Sequence, residues 1–445
     1  MLRTVAGRAN RLDALGLMTE DGPLTLADEQ VPGPVRNGGT LRRDRRAVIG
    51  GREFLGLVAG CMAMAAVGID LLLPAFADMR REFGLAPDST RVALLITAFF
   101  LGLAAGQIVY GPLSDRFGRK PMLYAGLSIY ATAAAAASFA PSLNWLIACR
   151  VVWGMGAAAP RSLALAMVRD SFEGERMART MSLVMATFIT VPVIAPTIGA
   201  GIIAIFGWRS VFWFQFSIAL VLMVWLTRLP ETLPPERRRS VSPRAIGEAF
   251  CTVVNTRQSV GFGLAVMFLF GVMSSYIASS EIIIDDVFGH GDLFPLFFGL
   301  LAIVMAAGSL LNARIVTSVG LHRLVRVTSL LAVGGTALFA LVSMSTDGKP
   351  PFVVFLALTA LVLIANSILL PNANTASMQR VPHVAGMAAA VIGMVSTGGG
   401  ALLGAIVAAT FDGTTRSFAY GSFAFTCAAA ICINVVAGPP AARST

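Results

Sequence analysis

The chain has 445 residues, of which 56% are hydrophobic and only 13% charged. A soluble domain carries roughly 25% charged residues, so this chain has too little charge to keep a folded surface wet. Its formal net charge of +10 is spread over short segments between apolar blocks, so no nucleic-acid partner is expected.

Residues 1–52 are rich in Gly, Pro and Arg and hold no run apolar enough for a signal peptide core. They read as a disordered basic cytosolic tail with Arg42, Arg43, Arg45, Arg46 and Arg52 against the membrane surface, and with room for a short helix around Arg8–Met18. Apolar windows then follow at 54–77, 91–112, 122–140, 144–168, 180–204, 209–229, 258–282, 294–315, 324–344, 351–371, 384–410 and 417–437. At 1.5 Å per residue each crosses a hydrocarbon core of about 30 Å, and in lipid the backbone must satisfy its own hydrogen bonds, which makes each block a helix.

The longest polar connection, within 230–257, carries Arg237, Arg238, Arg239 and Arg244. It divides a six-helix block at 53–229 from a second at 258–437, with a short tail at 438–445. The expected fold is an all-α membrane protein of twelve transmembrane helices in two pseudo-symmetric six-helix bundles. Most of the 34 basic residues fall on one side, including Arg116, Arg119 and Lys120, then Arg169, Arg176 and Arg179, then Arg323 and Arg326. The loop after the seventh span has Asp285, Asp286 and Asp292 and no Lys or Arg. This asymmetry predicts both termini in the cytosol.

The five cysteines lie in or beside apolar blocks without a CxxC pair, and the three histidines stand singly. Neither a disulfide framework, a metal site nor a cofactor is expected, and no convergent His/Asp/Ser set suggests an enzyme.

Between the second and third spans stands Gly111-Pro-Leu-Ser-Asp115-Arg116-Phe-Gly118-Arg119-Lys120. A tight turn between antiparallel helices needs small residues, here Gly111 and Gly118, which allow close approach and unusual φ. Asp115 is placed to favour the positive end of the third helix's dipole. The string resembles the signature loop of the major facilitator superfamily, over roughly residues 53–437. With Gly106-Gln-Ile-Val-Tyr110 before it, Ala166-Met-Val-Arg-Asp170, and Asp70 four residues ahead of Pro74, it is similar to the bicyclomycin/chloramphenicol-resistance (Bcr/CflA) type of drug:proton antiporter.

The fourth span contains Arg150-Val-Val-Trp-Gly154-Met-Gly156, which resembles a second superfamily motif. An Arg inside a span costs about 2.5–3.5 kcal/mol on insertion scales. Arg150, Gly154, Ala157 and Arg161 fall at i, i+4, i+7 and i+11, one face of a helix. Arg150 therefore either faces the interior, toward a cavity or a partner, or snorkels to the outer surface, about 9 Å from Asn144. Arg161, nearer the inner end, is read evenly between a cavity and a packing role. Asp70 lies about 27 Å along the first helix from Arg52, at a depth comparable with Arg150. Burial disfavours a carboxylate's charge and a nearby guanidinium favours it, so a changing Asp70–Arg150 contact would move a proton. Otherwise Asp70 only marks the outer mouth at Pro74. Some related antiporters carry a further acid two turns earlier, where this chain has Met62.

The fifth span holds Pro192 and Pro196-Thr-Ile-Gly199, similar to the antiporter motif of helix five, though Ala195 and Ala200 replace its usual glycines. Pro192, Pro196 and Gly199 read as a hinge, or as a kinked core helix. In the second half Glu281, Asn312, Arg314, Asn372, Asn374 and Gly398–Gly400 read as packing or boundary residues. Asn366, with Arg161, is a tentative cavity residue.

The resemblance implies a monomeric exporter in the bacterial inner membrane. It would pass small amphipathic drugs outward in exchange for protons by alternating access, with substrate, protons and lipid as its only partners. Two cavity arginines against one carboxylate favour neutral or weakly anionic substrates. The alternative on the same fold is a proton symporter or facilitator importing a small metabolite.

Overall fold

The computed structural model describes residues 50–238, 243–381 and 385–437. The expected tail up to residue 49, its possible helix at Arg8–Met18, Arg239 and the terminal 438–445 lie outside the described residues. Gly51 and Arg52, expected in the tail, belong to the first helix.

The helices are α1 (Gly51–Asp70), α2 (Phe76–Glu82), α3 (Leu94–Phe117), α4 (Arg119–Ser138), α5 (Leu143–Ser171), α6 (Gly174–Phe206) and α7 (Ser210–Leu226). After the connection come α8 (Pro243–Asn255), α9 (Arg257–Ile282), α10 (Phe294–Val319), α11 (Leu321–Ser345), α12 (Phe352–Met378), α13 (Ala385–Ala409) and α14 (Arg416–Ile431). Among the described residues ten helices are long and apolar enough to cross a membrane. Alanine-rich α4 and the 17-residue α7 pack alongside them, which makes twelve. The predicted spans all fall on these helices. Short α2 follows a 3-10 turn at Leu73–Ala75, where Pro74 cannot continue α1.

α1 and α3–α7 pack chiefly among themselves, and so do α9–α14. The two halves meet along α3 against α13 and α6 against α10. Within the first half the packing is set by glycine. A Cβ at Gly102 would strike the Val151 carbonyl, and one at Gly154 the Phe99 carbonyl. Backbones this close admit no side chain, as is usual where membrane helices adhere through shape and not through the hydrophobic effect. In the second half Gly400 lies against the Met267 carbonyl and the Gly271 amide, bringing α13 onto α9 in the same way.

Both described chain ends reach one end of the bundle. Glu53 on α1 accepts from Trp225 Nε1 at 3.1 Å beside the end of α7, and Arg257 at the start of α9 donates to the Val436 carbonyl at 2.8 Å. This end also carries Gly118 and is called here the signature end.

The signature string differs in shape from its expected loop. Gly111 to Phe117 is helical, with Pro112 inside α3, and the whole reversal is made at Gly118, whose φ is +104°. Gly111 has ordinary helical geometry with open space around it. The second half repeats the device. Gly320, at φ +83°, is the single residue between α10 and α11, as Gly118 is between α3 and α4. Only glycine adopts these angles without strain.

Candidate functional site: the signature end, the Arg150 socket and the divide between the halves

Arg119, the first residue of α4, gathers the signature end. Its guanidinium reaches Asp115 at 2.7 Å, Asp170 at the end of α5 at 2.8 Å, and Ser114 Oγ at 2.5 Å. The three consecutive helices α3, α4 and α5 are thus tied by one cation. Asp115 does not take the expected place at the start of α4: it lies in the last turn of α3, facing Arg119. The start of α4 is capped instead by Glu231, which accepts from the backbone amides of Arg119 at 2.9 Å and Lys120 at 3.1 Å. A carboxylate on the exposed amides of a helix N-terminus satisfies donors that have no partner within the helix. Lys120 completes the exchange by donating to the Thr227 and Leu229 carbonyls after α7, at 3.1 and 2.6 Å. Glu231 was missed in the sequence because a carboxylate just past an apolar span reads as an ordinary boundary. Arg116 takes no part in this cluster and lies over the Phe117 ring, 5.0 Å from its centroid.

Arg150 is fully buried inside the first half, so it neither faces a cavity nor snorkels. Its Nη1 donates to the Gly68 carbonyl on α1 at 2.7 Å and its Nε to the Leu95 carbonyl on α3 at 3.2 Å. The guanidinium also lies over Phe99 and Trp153, 4.5 and 5.0 Å from their centroids. Carbonyl oxygens and aromatic faces together replace part of the water a guanidinium loses on burial, while Nη2 has no hydrogen-bond partner among the described residues. Arg150 is a bolt between α1, α3 and α5, and the contact with Asp70 that the sequence allowed does not form. Without Arg150 in the cavity, the charge argument for neutral or anionic substrates falls away.

Asp70 is the last residue of α1 and 4% exposed. It makes no hydrogen bond or ion pair among the described residues. Across the divide, Tyr276 of α9 is buried as well. The Tyr276 ring stacks on Phe298, centroids 5.3 Å apart, and its hydroxyl has no partner among the described residues. Gly199 of α6 packs onto the Leu71 carbonyl, next to Asp70, where a Cβ would collide. Pro192 and Pro196 stand within the continuous helix α6, and a Cβ at Gly299 of α10 would come 2.9 Å from the carbonyl of Val193, next to Pro192. The helix-five residues thus touch both the end of α1 and the other half.

Arg161 is half-buried on α5, three turns from Arg150 toward the signature end. Asn366 does not face the divide. It lines a cavity of about 10 Å³ inside the second half with Thr336 and Thr426, and its Oδ1 has no partner among the described residues. The space suits one water molecule. Asn372 donates to Asn312 at 2.6 Å, joining α12 to α10.

The halves are also joined directly. Gln107 of α3 donates to Thr397 of α13 at 3.4 Å, and Phe100 meets Phe270 edge-on with centroids 5.0 Å apart. At the end opposite the signature turn, Arg80 of α2 grips Glu281 of α9 through both guanidinium nitrogens, at 2.9 and 2.6 Å. Nothing along the chain pairs these residues, which stand 201 positions apart.

The sequence profile of the Major Facilitator Superfamily matches residues 58–405. A bicyclomycin resistance protein homolog from Haemophilus influenzae is 28% identical over 376 residues, covering 83% of this chain and 91% of the relative. The multidrug resistance protein MdtL of Escherichia coli is 28% identical over 226 residues, 49% of this chain and 57% of the relative. Among solved structures, the human organic anion transporter MFSD10 (TETRAN) superposes with a TM-score of 0.67 at 18% identity, covering 86% of this chain and 99% of that one. The D-xylose-proton symporter gives 0.68 at 14% identity, over 85% and 97%. Both share the twelve-helix fold. The chain belongs to the major facilitator superfamily and is a multi-pass membrane transporter.

Proposed function

We propose that this transporter exports small amphipathic drugs across the bacterial inner membrane in exchange for protons, as a monomer, with the signature end in the cytosol. The names of the bicyclomycin-resistance and multidrug relatives support the substrate class. Orientation rests on the basic residues at the signature end set against Asp285, Asp286 and Asp292 at the opposite end. The observation that carries the coupling is Asp70: a buried carboxyl, without a guanidinium partner among the described residues, at the point where α1 stops beside the divide. Proton exchange needs a group that can be charged in one state and neutral in the other, and a carboxyl locked to Arg150 would be less free to do so. The halves, 53–229 and 258–437, rock as units about substrate held between them, and Pro192, Pro196 and Gly199 let α6 bend as they do.

Expression in a pump-deleted, drug-sensitive bacterium tests this. The wild type is expected to raise the inhibitory concentration of bicyclomycin, chloramphenicol or a related drug several-fold, and Asp70→Asn at equal membrane abundance is expected to abolish the gain. Equal resistance from the variant removes Asp70 from coupling. In inside-out vesicles, drug uptake driven by an acidic lumen supports export; flux only in the opposite sense assigns an importer.

A further inference from the structure

The Arg80–Glu281 pair stands apart from every other ion pair described. Its side chains are 5% and 7% exposed, and it joins the two halves, from α2 to α9. The remaining neighbour is Asp285, 3.8 Å from Arg80 and 43% exposed, on the turn that follows α9. Nearby, Ala93, Ala278 and Ala408 form a small buried cluster, drawing the starts of α3 and the ends of α9 and α13 together at the same end of the bundle. Small side chains let these three segments touch, but alanine-to-alanine contact has little area and no direction. The ion pair supplies both. Two forked hydrogen bonds fix the approach of α2 to α9 in distance and angle, and desolvation makes the attraction stronger than it would be at a wet surface.

Opening this end moves α2 and α9 apart and hydrates both ions, so the pair is made in one state of the transport cycle and broken in the other. We propose that Arg80 and Glu281 are the gate residues that hold the outer end closed, and that their separation is required for release of substrate there. This rests on the alternating-access reading above, and its test reads conformation directly, without transport.

Spin labels at exposed Asp88 and Lys349, one on each half at this end, report its width in lipid nanodiscs, in a background with Cys251→Ser and Cys427→Ala. The wild type is expected to show mainly a short distance. Glu281→Gln is expected to raise the population of a longer distance at least threefold. The charge exchange Arg80→Glu with Glu281→Arg is expected to restore most of the short one. Asp285→Asn is expected to change the distribution little. Should Glu281→Gln fail to give folded protein, Arg80→Lys replaces it, with a smaller shift in the same direction. An unchanged distribution in the single variants, or an exchange variant as open as Glu281→Gln, overturns the proposal. If the wild type transports no drug yet the distances behave as stated, the gate stands and only the substrate assignment fails.

Discussion

The two ends of the bundle use the same chemistry, a guanidinium between carboxylates, for different purposes. At the signature end Arg119 binds Asp115 and Asp170 within the first half, and Glu231, just past its last helix, caps the same helix. At the other end Arg80 and Glu281 cross from one half to the other. A network closed within one bundle keeps its geometry whichever way the halves rock, so it can only stiffen that bundle. On the proposed alternating-access reading, a pair that spans the divide is made or broken by the rocking itself. What decides between scaffold and switch is therefore which rigid body each partner belongs to.

The comparison can be broken first at the glycine seams that make each half rigid. Gly154→Leu drives a side chain into the Phe99 carbonyl, and overpacking costs about 1–3 kcal/mol and more where, as here, the clash is with backbone. Loss of the monodisperse peak in detergent is the expected result; a normal peak would show that the first half yields. Next, Arg119→Ala leaves Asp115 and Asp170 without their cation, a loss of about 2 kcal/mol for charged hydrogen bonds, read as a lower thermal midpoint. It should leave the far-end spin-label distances alone. If it widened them as much as Glu281→Gln does, the distinction between the two ends would collapse. Glu231→Ala removes the cap on α4 and is expected to lower stability by about 1 kcal/mol, with Glu231→Gln in between. The smallest effect belongs to the exposed pair of Arg81 with Asp78 beside the gate, where Arg81→Ala should stay within about 0.5 kcal/mol and leave transport unchanged.

Much of the fold was readable because lipid is a demanding solvent. Blocks of about 20 apolar residues have one stable form there, and the polar connection after 229 separated two sets of six. The signature string was readable as a family resemblance, but its shape was not: Gly111 and Gly118 look alike in sequence, and only Gly118 takes a positive φ. Arg150 stands out in the sequence as an arginine inside a span, but the groups it meets do not. Two of its three nitrogens meet the carbonyls of Gly68 and Leu95, and backbone acceptors leave no mark in a sequence. Asn366 failed in the same way, since helical periodicity places a residue on a face without saying whether that face meets the divide or the interior of its own half.

By itself, the sequence determined the solvent, the number of crossings and the family, because hydrophobic length and a dense local motif are properties of neighbouring residues. Tertiary structure alone decided which charges meet. The Arg119 guanidinium chose Asp170, Arg150 chose two carbonyls, and Arg80 chose Glu281, each partner distant along the chain. Such choices follow from the relative positions of whole helices, which are set by close backbone packing summed over the entire bundle and not by any local run of residues.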